Sequence, residues 1–239
     1  MKLYRIRPKI ESAVDRKRQL ASVAVFAIGF IVVVFAGREL WLGLRDDAVA
    51  QTEYTYLREL SVSREDAPAP NVFAEINPDF VGWIVVPGTT IDYPVVRGSD
   101  NSRYLNTMFS GAPNPAGAIF MDYRCTKGFN APVCMIYGHN MRDGSMFSPL
   151  TRYPKQAFID DHPEIIILTA DGKKLVYRIF EAQRTDAWDS VYTLDFNDAK
   201  AAAKLHTAAN AERFLILSTC LSGADRNVRF LVFAALTGN

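Results

Sequence analysis

Three side chains in this sequence have the types and settings for acyl transfer through sulfur: Cys220, His139 and Arg229. Cys220 ends the apolar run Phe-Leu-Ile-Leu-Ser-Thr-Cys and is followed by Leu-Ser-Gly. That order places a thiol at the rim of a buried strand, held firmly yet open to a ligand. A free thiol has a pKa near about 8.5 and is mostly protonated at neutral pH, so a nucleophilic cysteine needs a neighbour that takes or balances its proton. His139 ends a second apolar run, residues 131–139 (APVCMIYGH), and is followed by a polar loop. Arg229 begins the last apolar run, nine residues after Cys220, where a guanidinium can hold a developing oxyanion or a substrate backbone. Arg226, within the intervening loop, is its rival. Each residue also has a plainer reading: a packed cysteine, a hydrogen-bonded structural histidine, a surface arginine. His162, in the turn Asp-Asp-His-Pro, and His206, on an alanine-rich stretch, illustrate the plainer histidine.

The elements that must position these groups are short and β-rich. From residue 72 the strand candidates are 81–86, 91–96, 118–121, 133–137, 164–169, 174–182, 213–218 and 228–236. Pro87-Gly88 and Asp171-Gly172 supply turns between neighbouring candidates. Helical patterning is confined to residues 101–108, 145–153 and, more clearly, 198–209. The expected fold is therefore mainly β: a closed or nearly closed barrel of about eight strands with short connecting helices.

A different texture precedes the barrel. Residues 1–19 carry seven basic and two acidic side chains, a local net of +5, while the remainder of the chain has a net of −4. The basic excess is thus terminal and gives no ground for nucleic-acid binding. It runs into the uncharged stretch LASVAVFAIGFIVVVFA, residues 20–36, close to the roughly 17–25 residues a helix needs to cross a bilayer. Basic residues on that flank keep it cytoplasmic and send the rest of the chain outside. The other reading is a cleaved leader, with Ala48-Val49-Ala50 as the processing site. Residues 46–60 read as a helix with Val49, Tyr56, Leu57 and Leu60 as its apolar positions, and 61–71 as a proline-rich linker. The expected organisation is a cytoplasmic tail over 1–19, a single-pass transmembrane anchor over 20–37, a helical stem and linker over 38–71, and one barrel over 72–239.

The sequence holds three cysteines, and Cys125 and Cys134 either pair, leaving Cys220 as the odd thiol, or remain buried as small hydrophobes. No cysteine or histidine spacing resembles a metal site, and no cofactor is implied.

A strand ending in Thr-Cys, an arginine about ten residues on and Tyr-Gly-His some eighty residues earlier resemble the sortases, which join surface proteins to the Gram-positive cell wall. The likeness to class B is broader. INPDFVGWIVVPGTTIDYPVV (76–96), NSRYLN (101–106), GAIFMDYR (117–124), YGHN (137–140), SMF (145–147) and LSTC (217–220) follow that class in order and spacing. The resemblance implies a sortase barrel in which Cys220 attacks a threonine carbonyl of a sorting signal, His139 exchanges protons and Arg229 steadies substrate and oxyanion. It implies an NPxTx-like signal on surface-protein partners and a peptidoglycan-precursor amine as acceptor. Asn101, Leu105, Ser218 and Tyr192 match positions lining the class B substrate groove; Leu105 as a core residue and Asn101 as a helix cap are the plainer readings of two of them. Where the class often carries an acidic residue shortly after the cysteine, this chain has Ser222, with Asp225 further on. It lacks the aromatic lid of the pilus-building class C, which favours anchoring over polymerisation. A membrane-tethered cysteine hydrolase and a non-catalytic extracytoplasmic binding domain are the alternatives.

Overall fold

The structure, a computed structural model, describes residues 9–62, 70–198, 205, 211–220 and 227–238. The chain divides into two units, residues 1–48 and 49–239. Within the first, the helix α1 (Lys9–Val62) leaves its apolar side chains uncovered, Phe26, Phe30, Val33 and Phe35 among them. Among the described residues this is the helix long and apolar enough to cross a membrane, which makes it a candidate membrane anchor.

The second unit is a closed barrel of eight strands: β1 (Phe80–Val85), β2 (Asp92–Val96), β3 (Ile119–Met121), β4 (Val133–Tyr137), β5 (Glu164–Thr169), β6 (Lys174–Asp186), β7 (Phe214–Cys220) and β8 (Val228–Gly238). Their order around the wall is β1-β2-β3-β4-β7-β8-β6-β5, with β5 returning to β1. Pairing is antiparallel except at β2–β3 and β4–β7, which run parallel. Closure gives every strand a neighbour on both sides. The two turns expected at glycine lie where left-handed backbone is needed, Gly88 at φ +77° and Gly172 at φ +82°. Helical pieces are short: α2 (Pro70–Ile76), α3 (Gln156–Asp161) and single turns such as Arg103–Leu105 and Ser148–Arg152. Of the helix expected over 198–209, residues 199–204 and 206–209 lie outside the described residues.

Three strands outrun the sequence expectation at their C-terminal ends, β8 by two residues to Gly238 and β6 and β7 at the end near Cys220. β6 continues four residues past Ala182 because Gln183, Arg184, Thr185 and Asp186 pair with Leu231, Phe230, Arg229 and Val228 of β8. These polar residues carry no apolar alternation, so their strand is specified by its partner. β7 likewise continues two residues past Ser218 to Cys220, opposite β8.

In the second unit the end of α1 packs on the barrel through Ala50, Tyr54 and Leu57, spaced along one helical face. Of the expected apolar positions Leu57 is buried and Leu60 packs against the core, whereas Val49 and Tyr56 are exposed. The face turns toward Tyr54, whose hydroxyl donates to the Gly117 carbonyl at 2.6 Å and whose ring meets Tyr93 edge-on at 5.2 Å.

Candidate active site

The barrel wall gathers the three sequence-predicted chemical residues at one end of three neighbouring strands. β4 and β7 run parallel with Tyr137 opposite Ser218, so His139 and Cys220 each lie two residues past a matched pair. β7 and β8 run antiparallel with Cys220 opposite Arg229. The backbone of Cys220 therefore lies one strand spacing, roughly 5 Å, from that of Arg229, and β7 carries it on the side that faces the end of β4 and His139. Arg226, Ser222 and Asp225 lie outside the described residues.

His139 is set by its neighbours in sequence. Gly138 donates its N–H to the Ser218 carbonyl at 3.2 Å, tying the end of β4 to β7 one residue past the ladder. It must be small, because a Cβ there would lie 2.5 Å from Ile119 Cδ1 and 2.7 Å from Phe147 Cγ. Beyond His139 the chain folds back, and the His139 carbonyl accepts from the Phe147 N–H at 2.8 Å. Met146, at φ +54°, makes the turn that allows this return, and its N–H donates to the Tyr93 hydroxyl at 3.0 Å. The half-buried imidazole has Nε2 at 2.6 Å from the Leu105 carbonyl. A carbonyl only accepts, so this contact requires the proton on Nε2, and in the neutral ring Nδ1 is then the acceptor nitrogen.

Arg229 stands on the second residue of β8, its Nη1 donating to the Val228 carbonyl at 3.0 Å and its backbone flanked by Thr185 on β6. With His139, Leu105, Asn101, Tyr192 and Ser218 it lines one groove of about 380 Å³. All four residues matched to the groove by resemblance are thus brought together in it. Leu105 is 38% exposed, which removes its reading as core. Asn101 caps no helix; its Oδ1 accepts from the Tyr123 N–H at 3.1 Å and its Nδ2 donates to Asp122 at 3.0 Å. Tyr192 is held by the single turn Ser190–Thr193, where the Asp189 carboxylate accepts from the Val191 N–H, and its hydroxyl shares a 2.9 Å hydrogen bond with Ser218 Oγ.

Among the groove residues that went unassigned in the sequence are Tyr137, Arg124 and Thr219. Tyr137 stacks on Tyr192 with 6.5 Å between ring centroids, and Arg124 donates to the Tyr192 carbonyl at 2.9 Å. Both stand inside motifs quoted above, Tyr-Gly-His-Asn and Asp-Tyr-Arg, so the signal was a charged or phenolic side chain at the end of an apolar run. Thr219 is buried on the groove wall beside Cys220, and its Oγ1 has no hydrogen-bond partner among the described residues. An unmatched buried hydroxyl there is an available donor or acceptor for something entering the groove.

Cys125 and Cys134 are both buried and free. Burial, reinforced by contact with Cys125, pushes the Cys134 thiol well above its ordinary pKa, so Cys134 lacks the setting of a nucleophile.

Comparison with known proteins agrees with this geometry. Residues 84–237 match the sortase domain family. Over 240 residues the chain is 29% identical to sortase B of Listeria monocytogenes, covering 91% of this chain and 94% of that one. Among solved structures, the Staphylococcus aureus sortase B–substrate complex superposes with a TM-score of 0.69 at 28% identity, covering 81% of this chain and 98% of that one. A class B sortase of Streptococcus pyogenes involved in pilus biogenesis superposes at 0.60 with 31% identity, covering 70% of this chain and 97% of that one.

Proposed function

The chain belongs to the sortase family, resembling class B, and from that premise we propose that it is a membrane-anchored cysteine transpeptidase with Cys220 as its nucleophile. The observation that carries the reading is the strand register that sets Cys220 between Arg229 and the level of His139 at the rim of one groove.

In the first step the Cys220 thiolate attacks a threonine carbonyl of an NPxTx-like sorting signal. A carbon–sulfur bond forms, the carbon–nitrogen bond to the next residue breaks, and the leaving amine takes a proton from His139. Arg229 faces the oxyanion, where a charge-assisted donor lowers the barrier by about 3–4 kcal/mol if it acts like other oxyanion donors. In the second step a peptidoglycan-precursor amine attacks the thioester, gives its proton to His139 and expels the Cys220 thiolate, which restores the starting state. Residues 1–19 lie in the cytoplasm, 20–37 span the membrane, 38–71 form the stem and linker, and the barrel of 72–239 works outside, anchoring surface proteins one at a time.

The test uses the full chain in detergent micelles with fluorogenic NPxTx peptides and mass spectrometry, with Cys220→Ala as control. Cleavage after threonine and a thioester adduct lost in the variant support the reading. A folded chain that cleaves nothing and carries no adduct refutes it. Product formed only by water, even with millimolar amine present, identifies a hydrolase instead.

A further inference from the structure

Beneath the groove lies a carboxylate that none of the chemistry above uses. Asp122 follows β3 directly and its side chain is wholly inaccessible to solvent. A buried charge is retained only where it is paired and hydrogen-bonded on all sides, and this one is. Its Oδ1 accepts from the Arg124 N–H at 3.0 Å and Nε at 2.9 Å. Its Oδ2 accepts from Arg124 Nη2 at 2.7 Å, Tyr137 Oη at 2.8 Å and Asn101 Nδ2 at 3.0 Å. Burial opposes the charge, but the bonds from Arg124 and Tyr137 outweigh it and hold the carboxyl below the usual range.

The donors come from separate pieces of chain and each carries a wall of the groove. Asn101 stands in the β2–β3 connection and Tyr137 ends β4. Arg124 passes the restraint onward, with Nη1 on the Tyr192 carbonyl and its guanidinium 4.7 Å above the Phe196 ring. Tyr192 in turn reaches Ser218 on β7. One ionised group that does not itself line the groove therefore fixes the mutual placement of residues on β4, β7 and two connections.

We propose that Asp122 is a positioning residue for substrate binding: it holds Asn101, Tyr137 and, through Arg124, Tyr192 in the arrangement that accepts the sorting peptide. The proposal rests on the transpeptidase reading above. Asp122→Asn keeps the shape but turns an amide N–H₂ toward donors, leaving Arg124 without its counter-charge. The full chain and this variant are compared for thermal midpoint, for KM and kcat on the same NPxTx peptide, and for the alkylation rate of Cys220 by iodoacetamide.

The expected result is a folded variant whose KM rises about tenfold or more while thiol alkylation stays within twofold of the parent. A purely structural role would lower the midpoint and the active fraction, and hence kcat, with KM unmoved; that result overturns the proposal. Should the Asn variant not fold, Tyr137→Phe decides: its ring keeps the stack on Phe120 and Tyr192, and only the hydroxyl aimed at Asp122 is lost. A KM raised severalfold supports the proposal, and an unchanged KM overturns it. A parent chain that turns over no peptide sinks the transpeptidase reading itself, whereas a working parent beside a variant of equal KM sinks this proposal alone.

Discussion

Adding a single methyl group at Gly138 tests how the histidine is held. The Cβ of alanine would stand 2.5 Å from Ile119 Cδ1 and 2.7 and 2.8 Å from Phe147 Cγ and Cδ2. Carbon atoms rest at about 3.5–4.0 Å, so roughly 1 Å of room must be made. Neither neighbour can swing into water, since Ile119 and Phe147 are both fully buried. Overpacking of this kind costs about 1–3 kcal/mol, and at roughly 2–4 °C per kcal/mol for a chain of this size Gly138→Ala should lower the unfolding midpoint by about 2–12 °C. The least rigid response is movement of the Gly138–His139 backbone, which is tied to Phe147 by the 2.8 Å bond into the His139 carbonyl. A 1 Å displacement of a catalytic group costs about a hundredfold, so kcat/KM should fall by that order while the fold survives. Thermal unfolding followed by circular dichroism and initial rates on a fluorogenic sorting peptide measure both. A midpoint within 1 °C of the parent together with an unaltered kcat/KM would refute the reasoning, because the crowding drawn from the backbone would then be harmless.

Other substitutions probe other parts of the argument. Arg229→Ala should lower kcat/KM by about 10²–10³ with little change in thermal midpoint, and Arg229→Lys should restore little of it, because an ammonium lacks the planar fork; full recovery by lysine would reduce Arg229 to a point charge. Asp122 is held below its ordinary pKa, so its contribution to stability is complete above about pH 5 and is lost as pH falls through the folded value. The gap in thermal midpoint between the parent and Asp122→Asn should therefore narrow from pH 7 to pH 3, and a constant gap would show that folding does not lower the pKa of this carboxyl. Titration with a disulfide reagent should find one fast thiol in the native chain and two more only after denaturation, since Cys125 and Cys134 are buried and free; three fast thiols in the native chain would contradict that burial.

Much of the barrel was legible because its strands announce themselves by apolar runs between turn residues, as Val133–Tyr137 and Glu164–Thr169 do. The ends of β6 and β7 were less so, because Gln183 to Asp186 are polar and are ordered by pairing with β8. Strand order was not legible at all. Nothing local in residues 133–137 says that they lie beside 214–218, and only that pairing brings His139 level with Cys220. The groove residues Asn101, Leu105, Ser218 and Tyr192 came from resemblance, and the fold places them together independently. Asp122 escaped notice for a physical reason: its partners stand 2, 15 and 21 residues away, so its importance exists only in the folded chain. On α1 Leu57 was legible, but residue type cannot separate Tyr54 from Tyr56; the buried one is the tyrosine whose hydroxyl reaches the Gly117 carbonyl.

β8 is the only strand that pairs with both β7 and β6, and it is the last to be synthesised. A chain made from its N-terminus holds β4 and His139 long before β8 exists, and the parallel β4–β7 pair closes across about eighty residues. Such distant pairings form late in folding. The barrel thus acts as its own timer. A chain that stops short of β8 presents an isolated thiol without the flanking arginine, so reactivity arises only once β8 has been made and the barrel has closed.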